Sequence, residues 1–158
     1  MKRPMTPKGY DKLREELRDL RSQRPAIADA IEEARGHGDL SENGDYDAAK
    51  NKSGMVEAKI KDIEIKLTQA NVIDPLKINL TGSVVFGSTV DIEDLDSGEL
   101  KKFSIYGPED TDVKNGLISY ETPIAKALIG KKEGDVVIIR LPAGNKEFEI
   151  LKIYIDYK

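Results

Sequence analysis

Two runs of apolar residues in the first half of the chain mirror each other about Leu40, and this symmetry limits what the chain can fold into. Both runs advance by three and four residues in alternation, which is the spacing of a coiled-coil seam. The first run is Tyr10, Leu13, Leu17, Leu20, Arg24, Ile27, Ile31 and Ala34, and the second is Tyr46, Ala49, Ser53, Val56, Ile60, Ile63, Leu67 and Ala70. The pattern predicts an antiparallel helical hairpin in which Leu20 faces Ile60 and Arg24 faces Val56. Each arm, the first from about Pro7 to Arg35, would be roughly 43 Å long at a rise of 1.5 Å per residue.

The predicted helices have recognisable ends. Thr6 is a suitable N-cap and Pro7 a suitable first residue for a helix that runs to about Arg35. Glycines at positions 36 and 38 permit a reversal there, and Ser41 or Asn43 can cap the second helix. That helix is expected to run to about 72–73, before Asp74-Pro75 stops it. The predicted coiled-coil domain covers residues 1–76, and 75–81 is a linker.

The second half of the chain, residues 80–158, changes from helical spacing to alternation. Apolar and polar residues alternate over 90–93, 103–105 and 147–150, and glycine- and proline-containing turns separate these stretches. One short helix is predicted between Thr122, its cap, and Gly130, its stop. The sequence therefore predicts an α+β protein, with a helical hairpin followed by a domain of antiparallel sheet and one short helix.

Charge and composition limit the partners and the compartment. The chain has a net charge of −4, no cysteine and one histidine. It therefore lacks the positive field of proteins that bind free nucleic acid, and a protein partner is favoured. No apolar run approaches the roughly 18 residues needed to span a membrane. Without cysteine, the expected location is the cytoplasm.

Ionisable residues gather at the predicted apex of the hairpin, between His37 and Asn43. Asp39 and Glu42 are carboxylates, which Mg²⁺ prefers, and this ion commonly takes only one or two ligands from the protein. Such a pair could complete a metal site whose other ligands belong to a partner. The alternative is an ordinary turn, because acids are common between helices and favour the start of the second helix.

Three basic residues, Arg35, Lys50 and Lys52, lie within about two turns of this apex. They are either ordinary solvated side chains or a small patch that holds a phosphate backbone near the acids. Tyr46 is expected to pack beneath the apex and support it. Arg24, a polar residue in an apolar seam, is expected to snorkel, with its charged end in solvent, and to fix the register of the two helices.

The order of these residues resembles the bacterial Gre transcript-cleavage factors over nearly the whole chain. The similarity is carried by Pro4-Met5-Thr6, Gly9, Lys12-Leu13, Glu16-Leu17, Glu33-Ala34-Arg35, His37-Gly38-Asp39-Leu40, Glu42-Asn43, Tyr46, Ala48-Ala49, Gly82, Val84-Val85-Phe86-Gly87, Val90, Ser119-Tyr120, Thr122-Pro123-Ile124-Ala125 and Ala127-Leu128-Ile129-Gly130. The modest basic content beside the apex is closer to the GreA branch of the family than to the GreB branch. One departure is Gly44-Asp45, where the family more often has Ala-Glu, and this change could loosen the start of the second helix.

This resemblance implies an amino-terminal coiled coil and a carboxy-terminal domain with an FKBP-like fold that docks on bacterial RNA polymerase. The coiled coil would enter the secondary channel of the polymerase and bring its tip to the active centre. There Asp39 and Glu42 would help to hold Mg²⁺, Ser41 and Asn43 would orient water, and Arg35 with Lys50 would contact the 3′ end of the nascent RNA.

On this interpretation the chain is not an enzyme. It would activate the polymerase's own Mg²⁺-dependent cleavage of backtracked RNA, and it would bind no cofactor alone. Three alternatives remain open: a secondary-channel regulator that does not stimulate cleavage, a prolyl isomerase or chaperone, and a structural coiled-coil dimer. The mirrored register favours pairing within one chain, so a monomer is expected.

Overall fold

The computed structural model describes residues 2–36 and 44–158 of the chain. These residues form two compact units, one of Asp11–Gln69 and one that joins the chain up to Tyr10 with Ala70–Lys158. The helices are α1 (Pro7–Ser22), α2 (Arg24–Arg35), α3 (Gly44–Gln69) and α4 (Pro123–Leu128), and the strands are β1 (Arg3–Met5), β2 (Ala70–Val72), β3 (Thr89–Asp94), β4 (Leu100–Tyr106), β5 (Leu117–Ser119), β6 (Val136–Leu141) and β7 (Gly144–Tyr154). The predicted α+β class is confirmed, whereas the domain boundaries at 76 and 80 stay a prediction.

The predicted seam is the buried stripe of the helical unit. Across both runs, whose positions all lie in the described part of the chain, only Arg24 is exposed. Leu13 is 6% exposed and Ile60 is 2% exposed. Ile27 and Ser53 line one cleft together, which is the pairing expected from the mirrored runs. The antiparallel hairpin follows from this burial of one stripe on each helix.

The seam changes in character along its length. Its α1 portion presents leucines at positions 13, 17 and 20, while the second half of α3 presents Ile60 and Ile63. Nearer residues 37–43, the α2 and α3 portions mix small side chains (Ala34, Ala49 and Ser53) with large ones (Ile31 and Tyr46). The backbones of α2 and α3 approach each other closely there.

The first arm is two helices rather than the single helix expected from its periodicity. A turn at Gln23 separates α1 from α2, and Pro25 lies in the first turn of α2. Proline has no N–H to donate, so it cannot bond to the carbonyl of Arg21 and is tolerated only near a helix start. The seam nevertheless continues across the break, because Leu20 and Ile27 are both buried.

Arg24 lies at the edge of the seam and makes a two-pronged ion pair with Glu57. Its Nε lies 2.8 Å from Glu57 Oε1, and its Nη2 lies 2.9 Å from Oε2. The hydrogen bonds from Arg24 lower the pKa of the Glu57 carboxyl below its ordinary value. This pairing links α2 to α3, and the guanidinium stays in solvent, as expected of a snorkelling seam residue. Its role in fixing the register stays a prediction.

The other unit is built around a five-stranded sheet in the order β5-β4-β3-β7-β6. All neighbouring strands are antiparallel except β4 and β5, which are parallel. Helix α4 begins after Thr122, whose side chain accepts a hydrogen bond from the Ala125 N–H at 3.2 Å. The core includes Val90, Ile92, Ile105, Leu128 and Ile150, all fully buried.

A second, two-stranded sheet joins the two ends of the hairpin sequence to this unit. Strands β1 and β2 pair in parallel, with Met5 opposite Val72. The N–H of Ile73 donates to the carbonyl of Met5 at 2.7 Å. Helix α3 therefore ends at Gln69, earlier than the predicted 72–73, because the next residues bond to β1 instead of continuing the helix.

Candidate functional site

The acidic motif lies in the connection between α2 and α3. Helix α2 ends at Arg35, and the Gly36 N–H donates to the carbonyls of Glu32 and Glu33 at 3.2 Å and 3.1 Å. Helix α3 begins at Gly44. The residues predicted to act at the tip or to shape it, His37, Gly38, Asp39, Leu40, Ser41, Glu42 and Asn43, lie outside the described residues.

Acidic side chains dominate the described residues beside this connection. Asp45 and Asp47 occupy the first turn of α3, where carboxylates favour the positive end of the helix dipole. Glu32 and Glu33 are exposed in the last turns of α2. Arg35, Lys50 and Lys52 offset most of this negative charge. The neighbourhood therefore lacks the strongly positive field that would hold RNA by itself.

Arg35 and Lys50 lie on one flank of the hairpin. Ala28 and Glu57 line a cleft on that flank together with Arg24. Arg35 follows Ala28 by seven residues in α2, and Lys50 precedes Glu57 by seven residues in α3. Seven residues are nearly two helical turns, so Arg35 lies on the same face as Ala28, and Lys50 on the same face as Glu57. The structure therefore brings these two predicted RNA-contacting residues to the same side.

Lys52 lies on the opposite flank. It lines a cleft of about 350 Å³ with Glu33, Asp45 and a group of alanines at positions 30, 34, 48 and 49. The three basic residues are therefore not one patch. Lys52 shares its surroundings with two acids, which sequence reasoning did not connect to it because they come from different helices.

The two halves of the chain match two family models of transcription elongation factors. Residues 3–72 match the amino-terminal domain of the GreA/GreB transcription elongation factors, and residues 79–155 match the carboxy-terminal domain. The chain belongs to the Gre family of transcription elongation factors. The predicted family is thereby confirmed.

Relatives of this Gre factor cover nearly its whole length. Transcription elongation factor GreA of Methylococcus capsulatus is 50% identical over 153 residues, which is 96% of this chain and 97% of the relative. The GreA of Thermodesulfovibrio yellowstonii is 51% identical over 151 residues, which is 95% of each chain. GreA factor homolog 1 of Thermus thermophilus, a solved structure, is 28% identical, covers 98% of this chain and 99% of its own, and has a TM-score of 0.46.

Within this Gre factor, Tyr46 is half-buried in the first turns of α3, and its role in supporting the tip stays a prediction. Among residues 2–36 and 44–158, no group of three or more histidine, cysteine or acidic side chains is placed to hold a metal ion. No helix in that part of the chain is both long and apolar enough to cross a membrane.

Glu57 is the residue that sequence reasoning missed. It lies outside the heptad seam, yet it pairs with the one polar residue of the first run. A signal was present, because Glu57 follows Val56, the position that faces Arg24 across the mirror point. An acid beside that position could have been recognised as its partner.

Proposed function

We propose that this chain stimulates RNA polymerase to cleave its own backtracked transcript. The helical hairpin enters the secondary channel of bacterial RNA polymerase, and the acidic tip reaches the active centre. Asp39 and Glu42 act there on the 3′ end of the nascent RNA, and a cleaved transcript can be extended again. The chain works as a monomer in the cytoplasm and is not an enzyme by itself.

One observation carries this proposal. An acidic motif directly follows α2 in a hairpin whose seam is buried, and the chain is about 50% identical to GreA relatives along nearly all of its length. Two clefts of the hairpin are open, and they are lined largely by alanine or by paired charges. Such an element supports chemistry in a partner better than chemistry of its own.

The tip residues fit Mg²⁺ by the chemistry of their donors. Two carboxylates are as many protein ligands as this ion commonly takes, and water or phosphate oxygens fill the other positions. Bound Mg²⁺ would supply charge stabilisation and an activated water. Asp39 and Glu42 would hold it, while Ser41 and Asn43 would orient the water by hydrogen bonds. The chain has no resident cofactor on this proposal, since the ion is shared with the polymerase.

A secondary-channel regulator that does not stimulate cleavage is the second candidate. Asp45 and Asp47 lie beside the tip, in the first turn of α3. An acidic tip of this kind would enter the metal-containing centre of the polymerase without the geometry that RNA cleavage needs. The two candidates differ in one observable, the length of the RNA in a stalled complex.

The decisive experiment uses stalled polymerase complexes with labelled RNA. The chain with Mg²⁺ should leave naked RNA intact and shorten the RNA in stalled complexes. Asp39→Asn and Glu42→Gln should each lower the cleavage rate at least about a hundredfold while binding persists, because each removes a metal-holding charge.

Asp47→Asn is the matched control, since it removes one negative charge from the exposed first turn of α3. It should cleave at nearly the rate of the unaltered chain. Binding without shortening of RNA would favour the regulator, and full cleavage by the Asp39→Asn/Glu42→Gln double variant would overturn the role assigned to the tip.

A further inference from the structure

Helix α2 precedes residues 37–43, and it is joined to α1 through Gln23 rather than through continuous helix. The Gln23 N–H donates to the carbonyl of Leu20 at 3.1 Å, and the Gln23 carbonyl accepts from the Ile27 N–H at 3.1 Å. Pro25 has no N–H, so it adds no bond across this break. The backbone therefore restrains the direction of α2 less than an unbroken helix would.

The packing of α2 on α3 is open beside this break. Of the twelve residues of α2, Ile27 and Ala34 are buried. A cleft of about 140 Å³ lies on the flank that carries Lys52, and another of about 240 Å³ lies on the flank that carries Glu57. Both clefts are lined by residues of α2 and α3. Because side chains that line an open cleft lack contacts on one side, packing alone holds this part of α2 weakly.

The ion pair of Arg24 with Glu57 spans the second of these clefts. Arg24 is the first residue of α2, and its two nitrogens bond to both carboxylate oxygens of Glu57 in α3, at 2.8 Å and 2.9 Å. Two parallel bonds fix the plane of the guanidinium against the carboxylate, which a single bond does not. Exposed ion pairs contribute little to stability in general, and two-pronged arginine–carboxylate pairs are the exception. The pair therefore holds α2 at the end where its backbone is least restrained.

A second ion pair joins the first arm to α3 on the other side of the break. Arg21 Nη2 in α1 lies 3.1 Å from Glu64 Oε1 in α3, and its side chains are about as exposed as those of the first pair. This pair has one bond, and it belongs to a helix that already buries Leu13, Leu17 and Leu20. The two pairs therefore share their chemistry and differ in which part of the arm they hold.

We infer that Arg24 and Glu57 are positioning residues for transcript cleavage, because their pair holds α2 against α3 and limits the movement of the residues that follow α2. Those residues include Asp39 and Glu42, which must reach the reacting phosphate with little error. The pair itself touches no substrate, and it acts through the helix that precedes the tip. This inference rests on the proposed cleavage function.

Distances within the hairpin test the pair directly. The chain contains no cysteine, so spin labels can be attached at Glu32→Cys in α2 and Lys59→Cys in α3, both exposed. Double electron–electron resonance should give a broader distance distribution for Glu57→Arg, which places two guanidinium groups opposite each other. The exchange variant Arg24→Glu/Glu57→Arg should restore the narrow distribution, because it rebuilds the pair with the same net charge.

Cleavage in stalled complexes tests the functional consequence. At saturating concentrations of the chain, Glu57→Arg should cleave roughly tenfold more slowly, since small displacements of reacting groups are costly. The concentration that gives half of the maximal rate should not change, because the inference assigns the pair no part in binding. The exchange variant should cleave at nearly the full rate. Glu57→Gln should be intermediate, since its amide oxygen can still accept one hydrogen bond.

Glu64→Arg is the matched control. It makes the same change of charge at the ion pair on the other side of the break. Because the buried leucines of α1 hold that part of the arm, the variant should keep both the narrow distance distribution and the cleavage rate.

An unchanged distance distribution for Glu57→Arg would show that the pair does not hold α2, and a broad distribution with full cleavage would overturn the positioning role. Slow cleavage by the exchange variant despite a narrow distribution would also overturn that role, because one of the two charges would then act by itself. A Glu64→Arg variant as broad and as slow as Glu57→Arg would contradict the importance of the break.

Failure of the unaltered chain to shorten RNA is a separate outcome. The proposed function would then fail, and the positioning role would fail with it. The distance distributions would still decide whether the pair holds α2 against α3.

Discussion

At the scale of single residues, Gly98 and Gly116 share a backbone angle and differ in their surroundings. Both have φ of +74°, a left-handed conformation that residues with a Cβ rarely adopt. A Cβ at Gly98 would meet nothing within 4 Å, whereas one at Gly116 would lie 2.4 Å from the carbonyl oxygen of Lys102. The pair therefore separates the cost of a backbone angle from the cost of a steric clash.

Gly98→Ala should lower the free energy of unfolding of the sheet unit by about 1–2 kcal/mol, the cost of a left-handed alanine. Gly116→Ala should lower it further, because the backbone of β4 must also move and the pairing of β4 with β5 is disturbed. Urea denaturation of both variants, followed by circular dichroism, measures the difference. Equal losses would show that the structure absorbs the clash at no cost.

The seam shows which single-residue properties periodicity can predict. Spacing identified the buried face correctly, as Leu13, Leu17 and Ile63 confirm. The exposed guanidinium of Arg24 was expected of a snorkelling residue, but spacing could not predict its partner, because the heptad pattern fixes the direction of a Cβ and not the position of a long side chain's end. Solvation of the guanidinium and two hydrogen bonds to Glu57 decide that position.

At the scale of elements, the least predictable feature is the parallel pair of β1 and β2. Each strand has only three residues, and the two are far apart in sequence. Neither has the alternation that marks a longer strand, so nothing local distinguishes 70–72 from a continuing helix. Strands β3 and β7, in contrast, contain clear alternation and were predicted at 90–93 and 147–150.

The two flanks of the hairpin give different expectations for the basic residues near its tip. Substitution of Arg35 and Lys50 together by glutamine should slow transcript cleavage roughly tenfold and weaken its dependence on salt, since charged contacts to RNA phosphates would be lost. Lys52→Gln should have little effect, because Lys52 shares a cleft with Glu33 and Asp45. Cleavage rates in stalled complexes at several salt concentrations measure both effects.

A Lys52→Gln variant as slow as the double variant would contradict this division of the flanks. It would mean that RNA crosses the seam rather than following one side of it. A single patch, as the sequence alone permitted, would then be the better description.

At the scale of the whole molecule, burial of the seam within one chain predicts a monomer. The seam positions that would drive association between chains already pack against the same chain, apart from Arg24. Sedimentation equilibrium should give a single species of 17.5 kDa. A species of twice that mass at micromolar concentration would contradict the expectation and would point to another apolar surface.

The whole-molecule function was predictable from the sequence to the level of the family, since the motif residues extend over both halves of the chain. The roles proposed for Asp39 and Glu42 rest on that motif and on carboxylate chemistry. The hydrogen bond from Thr6 to Asp110 was not predictable, since it joins residues 104 positions apart without any pattern in the sequence.

The small seam residues of α2 and α3 also affect the width of the hairpin. The distance between two helix axes varies from about 8 Å to about 10 Å with the size of the side chains between them. Where Ala34 and Ala49 replace bulkier residues, α2 and α3 can approach closely, as their backbones do. Small side chains at these two seam positions therefore allow the α2–α3 part of the hairpin to stay slim.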